Sequence, residues 1–291
     1  MHLSVVIPVY NSATSINQVV SDCFAALSHL DFEIVLVDDG SIDNSEELIF
    51  QLAQQYPNIK AISLAKNVGE FNAVMCGLRF ATGKYVAIID DDGQNPPAEI
   101  LKLLARAESG YDVVYAQYAQ KMHAGWRNAG SGFSNYVAWL ITNKPNDLYL
   151  SSFKVLRADL VQKVITYTNA NVYPDVLVLK YAQSIGTVAV EHKAAEVKSR
   201  YTFKKLVSVF ASMLITRFGV WGNVLFYLLI ILFLFGIVMP LVLLALPYGL
   251  NMTGNLVFVA IGLLIVFMLP RGKRDKQFTI KKKIVQCLIT P

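Results

Sequence analysis

An apolar, β-favouring run over Tyr85–Ile89 ends in three consecutive carboxylates, Asp90, Asp91 and Asp92. Adjacent like charges repel, and charge at the end of a core strand is costly unless something compensates it. In an extended segment alternate side chains share a face, which puts Asp90, Asp92 and Gln94 on one side and Asp91 on the other. Two carboxylates and an amide oxygen form a hard-oxygen donor set for Mg²⁺ or Mn²⁺, with positions left open for diphosphate oxygens. Asp91 is expected to turn away, or only to assist in holding a ligand, and to be the most tolerant of substitution. The competing reading is a solvated acidic loop before the helix that Pro96 and Pro97 begin. A second cluster, "VLVDDGS", ends another apolar run in Asp38 and Asp39, and Gly40 permits a tight turn. These carboxylates can accept hydrogen bonds from a ribose hydroxyl or a base N–H, or form an Asx turn that caps the next helix.

Both clusters need a scaffold that brings strand ends together. The first half of the 291-residue chain alternates strand and helix patterns. "LSVVIPV", "FEIVLVD", "IKAISLA", "KYVAIID" and "YDVVYAQ" read as strands, separated by amphipathic segments such as "NSEELIFQLAQQY" and "GEFNAVMCGLRFA". Continuous Val/Ile-rich strands with helices between them imply a mostly parallel α/β sheet covered on both faces. Ligands of such sheets sit beyond the carboxyl ends of the strands, where both acidic clusters lie. Ala73, Gly77 and Ala81 form a small-residue stripe that suits close helix–sheet packing. From His123 to Arg217 the pattern is less regular, with helices expected at "SGFSNYVAWLI" and "ADLVQKVITY" and a short strand at "GTVAVEH".

The expected organisation is a catalytic domain over 1–200, an amphipathic interface helix over 201–218, two transmembrane helices within 219–270 and a basic tail over 271–291. The interface helix has Phe203, Leu206, Val207, Phe210, Met213, Leu214 and Ile215 on one face and bases elsewhere, so it can lie on a membrane or dock on the sheet. Residues 220–246 carry no charge over roughly the 20 residues or more a span requires, and 254–270 form a shorter second span. Bases precede the first span and follow the second, which places both outer ends in the cytoplasm. The net charge of +5 collects around these apolar segments, which suits an anionic membrane face and not a nucleic acid. The three cysteines form no CxxC pair, which argues against a zinc site or a disulfide framework. Neither GxGxxG nor GxxxxGK[ST] occurs, and the N-terminus lacks the basic region of a signal peptide.

In order and spacing, "SVVIPVYNS", "VLVDDGS" and "KNVGEFNAVMCGLRFATGKYVAIIDDDGQNPP" resemble family 2 glycosyltransferases of the GT-A fold. Within them the chain is most similar to membrane enzymes that load a sugar onto a polyprenyl phosphate. That group includes dolichol-phosphate mannose synthases, bactoprenol glucosyltransferases and undecaprenyl-phosphate 4-deoxy-4-formamido-L-arabinose transferases. "RNAGSGF", "KPNDLYLSSFKVLR" and "VEHKAAEVKSRYTFKKL" extend the resemblance over nearly the whole chain, the second of these leaning to the arabinose group. Three positions depart from the family pattern: Ser12 where Glu is usual, Glu70 where Lys is common, and no glycine before Ser199–Arg200–Tyr201. No QxxRW is present, which argues against a processive polysaccharide synthase.

The resemblance implies a bacterial inner-membrane enzyme, multi-pass and with its catalytic domain in the cytoplasm. It would carry a sugar from a nucleotide-sugar, UDP-linked by expectation, to undecaprenyl phosphate for cell-envelope glycan or lipid A and O-antigen modification. It implies that Pro8, Tyr10, Asp38 and Asp39 hold the nucleoside, with Asp91 assisting, and that Asp90, Asp92 and Gln94 hold Mg²⁺ or Mn²⁺ and the diphosphate. Arg127 and Ser131 would sit near the acceptor phosphate, Arg200 would clamp phosphate from the membrane side, and Asp147 is a weaker acceptor-side candidate. A homo-oligomer, such as a tetramer, is the expected assembly. Transfer to another lipid acceptor, and a membrane-anchored nucleotide-sugar-binding protein without turnover, are the alternatives.

Overall fold

In the computed structural model, residues 1–118, 148–191, 203–219, 221–229 and 278–284 are described, with Trp139, Thr142, Lys144 and Ile231. The chain alternates β1 (Leu3–Val9), α1 (Ile16–Leu27), β2 (Phe32–Asp38), α2 (Ser45–Gln55), β3 (Ile59–Leu64), α3 (Glu70–Phe80), β4 (Tyr85–Ile88), α4 (Glu99–Glu108) and β5 (Val113–Tyr118). Then follow β6 (Lys154–Arg157), α5 (Ala158–Val164), α6 (Pro174–Tyr181), β7 (Ile185–Val190), α7 (Phe203–Phe218) and β8 (Ile280–Ile284). The strands form one sheet in the order β7-β5-β6-β4-β1-β2-β3-β8. β1 pairs in parallel with β2 and β4, β2 with β3, and β5 with β7, whereas β6 and β8 run antiparallel to their neighbours. The expected mostly parallel α/β sheet is therefore present.

Strand alternation divides the core into two layers. Leu3, Val5, Ile7 and Val9 of β1 point to one face and pack with residues of α1, α2 and α4. Val6 points to the other, with Val35 and Val37 of β2, and meets α3, α5 and α6. A strand with both sides covered is apolar along its middle, and every residue of β1 and β2 is buried, with polar side chains only near the strand ends. The small-residue stripe does close α3 onto the sheet: a Cβ on Gly77 would lie 2.3 Å from Val6 Cγ1. At the amino ends of the strands, Glu33 is buried and neutralised by Lys60 (2.6 Å), with Ser4 Oγ (2.6 Å) and Thr82 N (2.7 Å) also donating to it. That buried ion pair lies at the end of the sheet opposite the acidic clusters, so its role is to join strands.

Two segments differ from expectation. Residues 280–284, read as part of a basic tail, form β8 on the edge of β3, where Lys281 pairs with Glu46 (2.9 Å) and Lys282 lies over the Phe50 ring (4.1 Å). The apolar face of α7 is covered in its second half: Val209, Met213 and Leu214 pack with Val176 of α6, and Tyr173 N donates to Thr216 Oγ1 (2.8 Å). Over that half α7 docks on α6. Beyond it, 221–229 is helical and exposes Trp221, Val224, Leu228 and Leu229. Among the described residues no helix is long and apolar enough to cross a membrane, and the expected spans at 220–246 and 254–270 fall mostly outside them. The helix expected at "SGFSNYVAWLI" also lies outside, apart from Trp139.

Candidate active site

β1 sits between β2 and β4, so the carboxyl ends of three adjacent strands deliver Tyr10–Ser12, Asp38–Asp39 and Asp90–Asp92 to one edge of the sheet. The β2 end is held first by its own turn. Asp38 accepts hydrogen bonds from Gly40 N (3.1 Å) and Ser41 N (3.2 Å), which is the Asx turn that the sequence allowed. Gly40 takes φ +67°, and a Cβ there would lie 2.6 Å from Asn67 N, so β2's turn and the loop after β3 touch backbone to backbone. Asp39 spans that contact, accepting Val68 N at Oδ1 (2.8 Å) and Gly69 N at Oδ2 (2.9 Å). Burial pushes its carboxyl up to about 6, against the pull of those two N–H groups, and the charges of Asp38 and Glu70 add to the rise. Burial raises Asp38 as well. Each Asp39 oxygen still has a lone pair for a ligand donor.

The β4 end does not continue as an extended strand. β4 stops at Ile88, the chain turns over Asp91–Gly93, and Gly93 takes φ +73°. The alternation that grouped Asp90, Asp92 and Gln94 is therefore broken, and the three acids go to three places. Asp90 faces β6, where its Oδ2 accepts from Ser152 Oγ (2.7 Å) and Asn95 Nδ2 (3.1 Å). Asn95 in turn accepts from Tyr118 Oη (3.0 Å), which also meets Ser151 Oγ (2.9 Å). Asp92 is exposed and accepts Gln94 N at Oδ1 (3.0 Å). Asp91, expected to turn away or only to assist, points to the β1 end: its Oδ2 accepts Tyr10 N (2.9 Å) and the Ser12 hydroxyl. The physical reason is the left-handed Gly93, which replaces a pleat with a turn.

Burial is the largest reason that Asp90 is pushed up to about 7; the charges of Glu70, Asp92 and Asp91 raise it further, and the Ser152 hydroxyl opposes them. Among the described residues no group of three or more His, Cys, Asp and Glu side chains is gathered to hold a metal ion. The donor set to be judged is two carboxylates and Gln94. The described hydrogen bonds use Asp90 Oδ2 and Asp92 Oδ1 and leave the second oxygen of each carboxylate without a protein donor. Crowded carboxylates with uncommitted oxygens fit a hard divalent cation.

Of the nucleoside-side candidates, Tyr10 is exposed at the mouth of the site, whereas Pro8 is buried within β1 opposite Val37 and shapes the strand end. Arg127, Ser131, Asp147 and Arg200 lie outside the described residues. The residues that sequence reasoning missed are Ser152, Asn95 and Tyr118, which set Asp90, and Ser41 and Ser45, which hold the β1 turn through Asn11 N (2.9 Å) and Ser12 N (2.8 Å). Asn95, Ser41 and Ser152 each stand in a motif already singled out, "GQNPP", "VLVDDGS" and "KPNDLYLSSFKVLR", but the motifs do not say which carboxylate each would meet.

An α/β sheet with acids at the ends of β2 and β4 agrees with the GT-A fold. Residues 4–165 match glycosyl transferase family 2, and the chain belongs to that family. It is 32% identical over 216 residues to the undecaprenyl-phosphate 4-deoxy-4-formamido-L-arabinose transferase of Photorhabdus laumondii, covering 73% of this chain and 66% of that protein. Against the transferase of the same name from Pseudomonas savastanoi it is 31% identical over 271 residues, or 91% of this chain and 80% of that one. Among solved structures it is similar to glucosyl-3-phosphoglycerate synthase from Mycobacterium tuberculosis, crystallised with Mn²⁺, UDP-glucose and phosphoglyceric acid. The TM-score is 0.56 at 19% identity, over 73% of this chain and 78% of that one, a likeness of fold.

Proposed function

We propose that this glycosyltransferase moves a sugar from a UDP-sugar to undecaprenyl phosphate at the cytoplasmic face of a bacterial membrane, inverting the anomeric centre. The observation that carries the acceptor is the 271-residue match to a transferase named for undecaprenyl phosphate, which runs well beyond the family 2 domain. The solved neighbour with UDP-glucose and Mn²⁺ supports the donor class. The exposed apolar residues of 221–229, leading into the uncharged stretch to 246, support attachment to a membrane.

In this reading Tyr10 and the second lone pairs of Asp39 receive the nucleoside, on a frame fixed by Gly40, Val68 and Gly69, with Asp38 buried beneath and holding the turn. Asp90, Asp92 and Gln94 hold Mg²⁺ or Mn²⁺, which when bound stabilises charge on the diphosphate. Ser152 and Asn95 keep Asp90 aimed into the site. Arg127 and Ser131 are assigned to the acceptor phosphate, Arg200 to phosphate on the membrane side, where a guanidinium suits bidentate contact, and Asp147 to the acceptor side. The attacking phosphate oxygen is already largely ionised near neutral pH, since the second pKa of a phosphate monoester is ~6. No dedicated general base is needed, and Asp91, occupied by Tyr10 N and Ser12 Oγ, is not placed as one.

The test is incubation of the purified protein in detergent or vesicles with labelled UDP-sugars, undecaprenyl phosphate and Mn²⁺, followed by mass spectrometry of the lipid. A sugar-phospholipid product is expected, and Asp92→Asn should lose most UDP release. No lipid-linked product with any common donor would overturn the acceptor assignment. An Asp92→Asn variant that turns over like wild type would overturn the metal assignment.

A further inference from the structure

The middle acid of the triplet has an occupation of its own. Tyr10–Ser12 turn the chain at the end of β1, and Asn11 takes φ +54°, a left-handed conformation that asparagine tolerates better than most residues with a Cβ. On the β2 side the turn is held by Ser41, Ser45 and Asp43, and Asn11 Oδ1 accepts Ile42 N (2.9 Å). On the β4 side three hydrogen bonds reach Asp91. Tyr10 N and Ser12 Oγ meet on Oδ2, and Ser15 Oγ donates to the Asp91 carbonyl (2.7 Å). Two donors on one oxygen call for a strong acceptor, and hydrogen bonds to a charged group contribute roughly twice what neutral ones do.

We propose that Asp91 is a positioning residue for the donor nucleoside: from the β4 loop it accepts Tyr10 N and Ser12 Oγ, and so latches the Tyr10–Ser12 turn to the loop that bears Asp90 and Asp92. The proposal rests on the glycosyltransferase reading above for its kinetic consequence. The latch itself stands on geometry alone. Breaking it loosens Tyr10 and leaves the diphosphate end intact, so the loss falls on ground-state binding of the donor. Such a loss raises KM and leaves kcat in place.

Four forms decide it: Asp91→Ala, Asp91→Asn, Ser12→Ala and the exchange variant Ser12→Glu/Asp91→Ala. Amide hydrogen exchange at Tyr10 reads the latch without any substrate. Calorimetric UDP binding and the donor KM read its consequence. Asp91→Ala is expected to speed Tyr10 exchange and to raise the UDP Kd and donor KM about tenfold, with kcat within about threefold of wild type. Asp91→Asn keeps an acceptor oxygen and should stay within about threefold in KM, with Ser12→Ala between the two. The exchange variant, with the carboxylate moved across the contact to position 12, should recover most of the lost affinity. Unchanged Tyr10 exchange in Asp91→Ala would overturn the latch. A fall in kcat without a rise in KM, Asp91→Asn as damaging as Asp91→Ala, or an exchange variant no better than Asp91→Ala would overturn the positioning role. Should Asp91→Ala fail to fold, Asp91→Ser, which also removes the carboxylate acceptor of Tyr10 N, carries the same test: unchanged Tyr10 exchange and donor KM in that variant would overturn the proposal. A wild-type protein that protects Tyr10 but binds no UDP would sink the function and not the latch.

Discussion

Gly40→Ala tests whether the nucleoside frame depends on backbone contact between two loops. Gly40 sits at φ +67°, where a residue with a Cβ loses about 1–2 kcal/mol. The new Cβ would also lie 2.6 Å from Asn67 N and 2.7 Å from the Lys66 carbonyl carbon, both main-chain atoms that no rotamer change can move aside. Overpacking of that kind costs about 1–3 kcal/mol, for a total of about 2–5 kcal/mol. The loop that must yield is the one whose next two amides are held by Asp39, so relief of the clash pulls Val68 N and Gly69 N off the carboxylate. Two controls separate strain from collision. Gly69 at φ +94° and Gly110 at φ +110° have nothing within 4 Å of an added Cβ, so Ala there brings strain alone, about 1–3 kcal/mol. Gly110 is moreover remote from the site. Urea unfolding should rank Gly40→Ala well below Gly110→Ala in stability, and donor KM should rise in Gly40→Ala but not in Gly110→Ala. Equal stability losses in the two variants, with equal KM values, would refute the close approach as the reason for glycine at 40.

Glu70→Gln removes a charge that raises both Asp90 and Asp39, so the acid limb of the activity profile should move to lower pH; a limb that stays or moves up would count against the coupling. In the absence of divalent cation, carboxyls raised to about 7 and about 6 hold protons in the folded state that the unfolded chain has already released. Stability should therefore rise as pH falls from 8 towards 5, at up to about 1.4 kcal/mol per pH unit for each group, and chemical unfolding with chelator present would show it. Gly77→Ala pits a gain in helix propensity of about 1 kcal/mol against the collision with Val6, and should destabilise; combining it with Val6→Ala should recover part of the loss, and strict additivity in that cycle would disprove the contact. Deleting the chain from Phe278 onwards uncovers the edge of β3, and light scattering should detect association that the full chain does not show.

What the sequence disclosed of the fold follows burial. β1 to β5 were legible because strands covered on both faces are apolar along their middles. β6 was not: it has four residues, begins with Lys154 and ends with Arg157. A lysine inside a sheet reads as a loop unless its partner is known, and that partner, Asp175 on α6, lies 21 residues on and also takes the Tyr115 hydroxyl (2.8 Å). β8 was hidden for a related reason. "IKKKI" has the composition of a basic tail, yet lysines are what an edge strand tolerates, because their charged ends reach solvent and, at Lys281, the carboxylate of Glu46.

The candidate site was legible where chemistry sits in consecutive residues and illegible where it depends on a turn. Acids at the ends of two apolar runs announced Asp38, Asp39, Asp90 and Asp92, because charge at that place needs a reason. Which acid does what depends on Gly93, whose positive φ cancels the alternation that a strand would impose. Three adjacent carboxylates are then tolerated by dispersal. Asp90 goes to Ser152 and Asn95, Asp91 to Tyr10 and Ser12, and Asp92 to solvent, so each meets donors from a different part of the chain. Burial is the main reason that Asp90 stays raised, and the charges of Glu70, Asp92 and Asp91 add to it; a cation held by Asp90 and Asp92 would relieve that added repulsion without disturbing Asp91. On that account Asp91 and its neighbours should fail differently: loss of Asp92 should abolish turnover, whereas loss of Asp91 should weaken donor binding and spare the chemical step.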